Sequence, residues 1–429
     1  MAAGTLEDVA EVALKLEGLP VITQEIGDSW IHGIGTDPRK MSQFRGLLRL
    51  QHTEELSALD KEAMDRELLL VPEHTWGLDE KIWLGKTREL GYLHGEYETF
   101  LKEEFVRKKS TEMFRRMEAS WWEQRNYVER AAQVPSGKIA ERVQKCMGEY
   151  KRTPWNVSGY TKAVLSEEGG SLWLPLPGWK LSVDKYGAIC FLEKDGRFFA
   201  DETHRIAAFS YEVFSREEYA VFLKKYQTCD LQWAKEDFDK IGMEKAISHY
   251  REYLPQVTEV WYQDATVVIR MKLSEEAVTL YGGMKELETV ICLEETQIMI
   301  DFAWWGKEAT RVAEASWLAF GLSEKVTGIE KLGSRIDPGQ VVLHGNRRLH
   351  ATDGIVSFET MSLQPVDSPL VSIGERALLK FPDTAADTHK GFTAICIITS
   401  GERIFRCGMK KMQGSGSSYG LSQNPILQF

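Results

Sequence analysis

The spacing of apolar residues divides the chain into a short N-terminal segment, a helical region and a strand-rich region. From Asp37 to about Arg152, apolar residues recur every three or four positions, which is the period of amphipathic helices. After Pro154 the apolar runs become short or alternating and are separated by Gly, Pro and Asp, which is typical of strands. The pattern therefore predicts a multidomain α and β protein.

The helical region carries start and stop signals. Asp37 can cap a first helix, and Pro38 suits the first helical position. The run from Glu96 to Val134 contains no Pro or Gly, and a further helix is predicted from about Lys138 to Tyr150. Three or four such helices with short connections predict a helical bundle over residues 39–153.

The strand-rich region predicts a large antiparallel β-sandwich over residues 154–413, because its short strands follow one another at regular spacing. A helical insertion is predicted over about residues 215–253, and residues 414–429 have the composition of a flexible tail. The clearest predicted strands are Lys180–Val183, Ala188–Leu192, Ala265–Leu273, Glu288–Cys292, Gln297–Phe302, Val341–Leu343 and Phe392–Thr399.

The N-terminal segment concentrates candidate chemistry. Leu19–Ile22 is an apolar, strand-like run, and the sequence after it is interrupted by glycines. Polar and aromatic side chains occupy positions among and beside those glycines, namely Glu25, Asp28, Trp30, His32 and Asp37. Carboxylates, an imidazole and an indole in a loop at the end of a strand predict a binding or catalytic site at one end of a sheet or barrel.

A second group of candidate residues interrupts the helical region at Val71–Lys81, which includes His74 and Trp76. A loop with this composition can present an imidazole to a neighbouring domain. His74 would be a metal ligand only if other side chains converged on the same ion. The alternative is that His74 and Trp76 pack the bundle against the next domain.

Charge and hydropathy exclude several classes of partner. The 429-residue chain has a formal net charge of −11, which argues against a nucleic-acid or anionic-membrane surface. No run approaches the length of a membrane-spanning helix. Charged residues throughout Met1–Gly18 exclude a secretory signal, so we expect a cytoplasmic protein. The sequence indicates no oligomeric state, and it contains no dinucleotide-binding, phosphate-loop, His-Glu-x-x-His or Gly-x-Ser-x-Gly motif.

The segments Thr23–Lys40 and Glu73–Gly77, joined by helices, resemble an uncharacterised α-mannosidase-like family related to glycoside hydrolase family 38. A segment around Lys307–Phe320, containing Arg311, Glu314 and Trp317, is similar to the same group, less specifically. The resemblance implies that residues 1–38 are the last part of a β/α barrel catalytic domain, followed by the bundle and the sandwich.

The resemblance also implies a zinc-dependent, retaining glycosidase acting on a mannoside or related glycan. His74 corresponds to a zinc ligand contributed by the bundle. The residues expected to line the sugar site are Asp28, Trp30, His32 and Trp76.

The chain departs from that family in two ways. None of its nine histidines is followed two residues later by aspartate, so the His-x-Asp zinc ligands are missing. The strand that carries the nucleophile should precede Leu19, and no catalytic residue can be assigned in this chain. We therefore expect an inactive C-terminal part of a longer enzyme. The alternatives are a non-catalytic carbohydrate-binding protein or a structural interaction protein.

Overall fold

The structure is a computed structural model that describes residues 4–26, 29–54, 56–73, 77–78, 112–149, 153–165, 170–226, 249–308, 310, 312–342, 345, 348–379, 392–397 and 403–411. Within these residues the chain is a mixed α and β protein with several antiparallel sheets, as the sequence predicts. None of the helices in this part of the chain is long and apolar enough to cross a bilayer.

Seven α-helices lie in the described part of the chain, together with a 3₁₀ helix at Ser29–Gly35. They are α1 (Leu6–Ala13), α2 (Pro38–Thr53), α3 (Ala58–Glu73), α4 (Glu112–Gln133), α5 (Gly137–Glu149), α6 (Arg216–Tyr226) and α7 (Glu275–Tyr281). The predicted cap of α2 is present, because the Asp37 carboxylate accepts from the Lys40 backbone N–H over 3.4 Å.

Helices α2, α3, α4 and α5 share one apolar core. In α3 the buried residues Met64, Leu68 and Val71 follow the spacing of a single helical stripe. The complete core consists of Leu47, Leu50, Met64, Leu68, Val71, Val128, Ala131, Ala132, Val143 and Met147. The sequence predicted that the helical region is interrupted from Val71 onward. Helix α3 instead continues through Pro72 and ends at Glu73. Burial of Val71 in this core favours continuing the helix.

Twenty strands lie within the described residues. They are β1 (Thr161–Lys162), β2 (Leu172–Leu176), β3 (Trp179–Val183), β4 (Ile189–Lys194), β5 (Arg197–Ala200), β6 (Ala208–Val213), β7 (Arg251–Tyr253), β8 (Gln256–Gln263), β9 (Thr266–Lys272), β10 (Glu286–Leu293), β11 (Gln297–Trp305), β12 (Glu314–Gly321), β13 (Val326–Lys331), β14 (Ser334–Ile336), β15 (Leu349–Ala351), β16 (Val356–Phe358), β17 (Met361–Pro365), β18 (Leu370–Ile373), β19 (Phe392–Ile397) and β20 (Arg403–Lys411).

The strands form three sheets. The ten-stranded sheet has the order β1-β8-β9-β10-β11-β20-β17-β16-β13-β14, the six-stranded sheet β15-β18-β19-β12-β6-β7 and the four-stranded sheet β2-β3-β4-β5. Side chains from all three sheets belong to one apolar core. The ten- and six-stranded sheets meet where Phe209 of β6 stacks on Phe302 of β11, with 4.8 Å between ring centroids.

Helix α2 is attached to the strand-rich region by two arginines. The Arg45 guanidinium donates to the carbonyl oxygens of Thr352, Pro365 and Val366 over 2.9–3.0 Å. Arg49 donates to the Val366 carbonyl over 2.8 Å and contacts the Asp367 carboxylate at 3.2 Å. Because guanidinium groups satisfy several carbonyls at once, these contacts fix α2 relative to the sheets.

Three predicted elements differ from the structure. Leu19–Ile22 is not a strand, and Leu19, Val21 and Ile22 are exposed because no described strand pairs with them. An isolated parallel bridge joins Glu25 to Val341 close to this run, and Val341 and Val342 likewise belong to no described strand. The predicted helical insertion ends in β7, which pairs with β6. The predicted tail lies outside the described residues.

Candidate functional site

The 3₁₀ helix at Ser29–Gly35 lies between the helical and strand-rich regions, where it contacts α2, β15 and β18. It contains two of the residues that the sequence singled out, Trp30 and His32. Polar groups occur on both sides of it, at Glu25 before it and at Asp37 after it. This junction is the candidate functional site.

Asp37 forms the first part of the site. Its backbone has φ 44°, in the left-handed region that Asp tolerates better than most residues, and this directs the chain from the 3₁₀ helix into α2. Its carboxylate Oδ2 lies 2.5 Å from Arg125 Nε of α4, and both side chains are mostly buried. The ion pair therefore joins the predicted N-terminal motif to α4.

Helices α2 and α4 carry further buried polar side chains, of which Lys40 interacts electrostatically with both members of this ion pair. We call the set of Asp37, Lys40, Gln43, Ser120, Gln124 and Arg125 the helical polar cluster; all of them except Arg125 are less than a tenth exposed. Burial lowers the pKa of Lys40, an effect that the Asp37 carboxylate opposes and the Arg125 guanidinium reinforces. Gln43 Nε2 and Gln124 Oε1 have no hydrogen-bond partner among the described residues.

The end of the second predicted motif also contacts α4. The Leu78 backbone N–H donates to Ser120 Oγ over 3.0 Å, and Ser120 Oγ donates to the Met117 carbonyl. Gly77 has φ 78°, and a Cβ there would lie 2.4 Å from Ser120 Oγ, so only glycine fits this approach. The two motifs that the sequence singled out therefore meet on one helix, at Arg125 and at Ser120.

An exposed indole lies beside the helical polar cluster. The Trp122 side chain is 61% exposed, and the Arg125 guanidinium carbon lies 5.2 Å from its ring centroid. This cation–π contact holds the ring against the same arginine that pairs with Asp37. A flat apolar surface therefore adjoins buried donors and acceptors.

His32 is partly buried, and its ring lies 6.0 Å from that of Phe222 in α6. Burial lowers the pKa of His32 to about 4. The imidazole is therefore neutral at physiological pH, with one donor and one acceptor nitrogen.

A third polar group lies on the strand side of the 3₁₀ helix. Glu25 forms an ion pair with Lys331 of β13, and Glu25 Oε2 is 3.5 Å from His350 Nδ1 of β15. Burial opposes ionisation of Glu25, but its contacts with His350 and Lys331 outweigh that effect and lower its pKa to about 2. His350 is fully buried, and its Nε2 has no hydrogen-bond partner among the described residues.

The Lys307–Phe320 segment contributes a separate buried network. Lys307 Nζ lies 2.9 Å from Glu314, which also accepts from the Tyr211 hydroxyl. On the opposite face of β12, Trp317 Nε1 donates to Glu212 over 2.8 Å. These groups satisfy one another within the sheets, which indicates a structural role. Arg311 lies outside the described residues.

Of the predicted site residues, His32 is the one whose side chain the structure describes. Asp28, His74 and Trp76 lie outside the described residues, and Trp30 is described only by its backbone in the 3₁₀ helix. His32 is at the junction, as expected. In the described ranges no three His, Cys, Asp or Glu side chains are close enough to hold a metal ion together, so these residues alone do not form a zinc site.

Sequence reasoning did not select Lys40, Trp122, Arg125, Lys331 or His350. A signal for part of this set was present in α4, where Ser120 and Gln124 interrupt the buried stripe of Met117 and Val128 at helical spacing. Polar residues at core positions indicate a polar contact with another element. Lys331 and His350 gave no such signal, because their contact with Glu25 depends on tertiary folding.

The family described as "Domain of unknown function (DUF5054)" matches residues 34–290, which is more than half of the chain. The chain belongs to this family. Its matched region includes α2 to α5 and the strands from β1 into β10. No curated protein matches the chain.

Two solved structures show a weak similarity. A 4-alpha-glucanotransferase from Thermococcus litoralis has a TM-score of 0.27 and 8% identity, covering 88% of this chain and 49% of that one. The heparan sulfate lyase HepC from Pedobacter heparinus has a TM-score of 0.26 and 10% identity, covering 58% of this chain and 37% of that one. The chain thus spans about half the length of the glucanotransferase. Scores this low do not identify a shared fold.

Proposed function

We propose that this DUF5054 protein is part of an α-mannosidase-like glycoside hydrolase system related to family 38, and that its junction site binds a mannoside or related glycan. The observation that carries the proposal is the meeting of both sequence motifs on α4, through Asp37–Arg125 and through Gly77–Leu78 against Ser120. The finer architecture belongs to the same proposal: a barrel end, a helical bundle and a β-sandwich.

The groups at the junction suit a polyhydroxylated ligand. Carboxylate, amide and guanidinium groups can each hydrogen-bond a pair of neighbouring sugar hydroxyls, and Gln43 and Gln124 retain buried polar atoms without a described partner. The exposed face of Trp122 offers an apolar surface for the C–H face of a pyranose. The neutral His32 ring can donate or accept a hydrogen bond without adding charge.

Catalysis by this chain alone is not part of the proposal. A retaining glycosidase needs a nucleophilic carboxylate and an acid about 5 Å apart across the scissile bond. Among the described junction residues, Asp37 is engaged by Arg125 and Glu25 by Lys331. The described residues also do not assemble a metal site, so no step is assigned to zinc, and a role for His74 as a zinc ligand depends on ligands beyond these residues.

Binding is tested by titrating the chain with mannohexaose in a calorimeter. Wild-type protein is expected to bind, and Arg125→Met and Trp122→Ala should each weaken the affinity by about tenfold, as loss of a central contact does. Arg66→Met removes an arginine whose ion pair is exposed on α3 and should leave affinity unchanged. Equal affinity for all four proteins would contradict the proposed site.

Turnover and metal content are tested separately with p-nitrophenyl α-mannoside and metal analysis. We expect neither hydrolysis nor stoichiometric zinc for this chain. A longer version that adds any barrel encoded upstream should acquire both and lose both on His74→Ala. Hydrolysis by the 429-residue chain itself would contradict the inactive assignment.

One observation favours a second candidate, a structural interaction protein. Helix α1 has no buried residue, and exposed apolar side chains continue after it through the described N-terminal segment. They are Leu6, Val9, Val12, Leu14, Leu16, Leu19, Val21, Ile22 and Ile26. Such a surface suits a protein partner. A monomer of unchanged solubility and affinity after deletion of residues 1–22 would count against this alternative.

A further inference from the structure

The four-stranded sheet has one face in the core and one face in solvent. Leu174, Leu181 and Leu192 on its inner face belong to the central apolar core. The opposite face carries three aromatic side chains, one each on β2, β4 and β5. We call Trp173, Phe191 and Phe198 the aromatic face.

The three rings form a continuous surface. Trp173 and Phe191 have ring centroids 4.9 Å apart, and Phe191 and Phe198 have centroids 5.7 Å apart. Trp173 is 58% exposed and Phe198 is 57% exposed. Single exposed apolar side chains are common, but a contiguous group on rigid strands marks an interaction surface.

Strand register explains how the rings come together. Trp173 lies opposite Ser182 on β3, and Ser182 lies opposite Phe191 on β4, so a small residue separates the first two rings. Phe198 lies opposite Glu193, two positions after Phe191 on the same face. The indole and the first phenyl ring are tilted by 54°, and Ser182, which lies between them on β3, is buried.

Polar groups adjoin the rings on the same face. Lys180 Nζ lies 2.5 Å from Glu193 Oε2, and Glu193 Oε1 accepts from the Gly196 N–H over 3.0 Å. One cation and one anion leave this polar edge electrically neutral. Next to the rings it offers both hydrogen-bond donors and acceptors.

We propose that the aromatic face is a second carbohydrate-binding surface, independent of the junction site, on which pyranose rings of a neutral polysaccharide stack. A pyranose presents a C–H face that packs on aromatic rings and hydroxyls that both donate and accept hydrogen bonds. The neutral Lys180–Glu193 edge complements those hydroxyls. Nucleic acid or anionic lipid would instead require a cluster of cations at this edge.

Affinity gel electrophoresis of the full chain tests this proposal, with soluble α-mannan, glucomannan and xyloglucan cast separately in the gel. At least one polysaccharide should retard the wild-type chain. Trp173→Ala and Phe198→Ala should each weaken the apparent binding by about tenfold. The matched control is Leu59→Ala, which truncates another largely exposed apolar residue, on α3, and should migrate like wild type.

Two further measurements separate this surface from its alternatives. Unchanged thermal midpoints in Trp173→Ala and Phe198→Ala, expected for exposed positions, exclude a folding effect. Arg125→Met should weaken mannohexaose binding by about tenfold yet leave retardation intact, so a defect at the junction site is distinguishable from one at the aromatic face. No retardation of wild type, retardation unaffected by Trp173→Ala, or a concentration-dependent dimer that Trp173→Ala disrupts would each overturn the proposal.

Discussion

Arg125 Nε lies 2.5 Å from the Oδ2 atom of Asp37, a residue in the left-handed backbone region at the start of α2. One carboxylate thus caps α2 and pairs with α4. The pair joins the end of the N-terminal motif to the helix that also receives Gly77 and Leu78.

Replacing Arg125 with Met should destabilise the protein by about 2 kcal/mol, because it leaves a mostly buried carboxylate without its charged partner. Urea unfolding measures the change in the free energy of unfolding. Arg66→Met is the control, since its ion pair with Glu62 is largely exposed and should contribute less than about 1 kcal/mol. Similar losses in the two variants would show that the Asp37 pair has no special role.

His32 should make the protein less stable as the pH falls. Burial lowers its folded-state pKa to about 4 from an ordinary 6.5, so the unfolded chain binds a proton first. Stability contributed by the neutral ring is therefore present above pH 6.5 and is lost as the pH falls toward 4. His32→Phe should remove this part of the pH dependence, which is on the order of 3 kcal/mol.

Thermal unfolding between pH 4 and pH 7 measures the effect, and NMR titration of the His32 ring protons measures the pKa directly. His52→Gln, at the exposed end of α2, is the control and should keep the wild-type pH dependence. An NMR pKa near 6.5 would contradict the buried, neutral ring.

Local patterns predict the elements of this protein well. The capping pair Asp37–Pro38 marks the start of α2, and the alternating run predicted at Ala265–Leu273 is β9 at Thr266–Lys272. Both signals depend on neighbours within a few residues. Helical spacing and β alternation of apolar residues arise because one face of the element is buried. They therefore predict an element from its sequence wherever a single face is buried.

Contacts between distant segments left little trace in the sequence. Arg45 donates to backbone carbonyls, which every residue possesses, so no pattern marks its partners. Leu19–Ile22 has strand composition, but among the described residues no strand pairs with it, and the nearest β-type contact there is the bridge between Glu25 and Val341. Composition therefore indicated where the junction begins, and tertiary folding determined what it contacts.

Glu25 should stabilise the protein above about pH 4.5 and lose that contribution as the pH falls. Its contacts with His350 and Lys331 lower the folded-state pKa to about 2 from 4.5 despite burial, so the folded carboxylate resists protonation longer than the unfolded one. Glu25→Gln should therefore lower stability at pH 6 and flatten its dependence between pH 4.5 and pH 2.

Thermal midpoints of wild type and Glu25→Gln across this pH range provide the measurement. Glu62→Gln, in an exposed ion pair on α3, is the control and should follow the wild-type curve. If Glu25→Gln also followed the wild-type curve, the contact with Lys331 and His350 would not contribute to folding.

Gly77→Ala should be strongly destabilising for two separable reasons. The left-handed backbone costs a non-glycine residue about 1–2 kcal/mol, and the new methyl group would meet Ser120 Oγ at 2.4 Å. Gly137→Ala is the matched control, because Gly137 also has a positive φ but has nothing within 4 Å of the added atom. The difference between the two losses of unfolding free energy therefore isolates the contact with α4.

A double-mutant cycle with Ser120→Ala identifies that contact. Removing the hydroxyl eliminates the closest atom, so Gly77→Ala should cost less in the Ser120→Ala background than in wild type. Gly77→Ala should likewise weaken mannohexaose affinity less in the Ser120→Ala background than in wild type, since displacing this segment changes the junction around Arg125. Equal costs for Gly77→Ala in both backgrounds would mean that Gly77 does not pack on α4, and the two motifs would then not share one site.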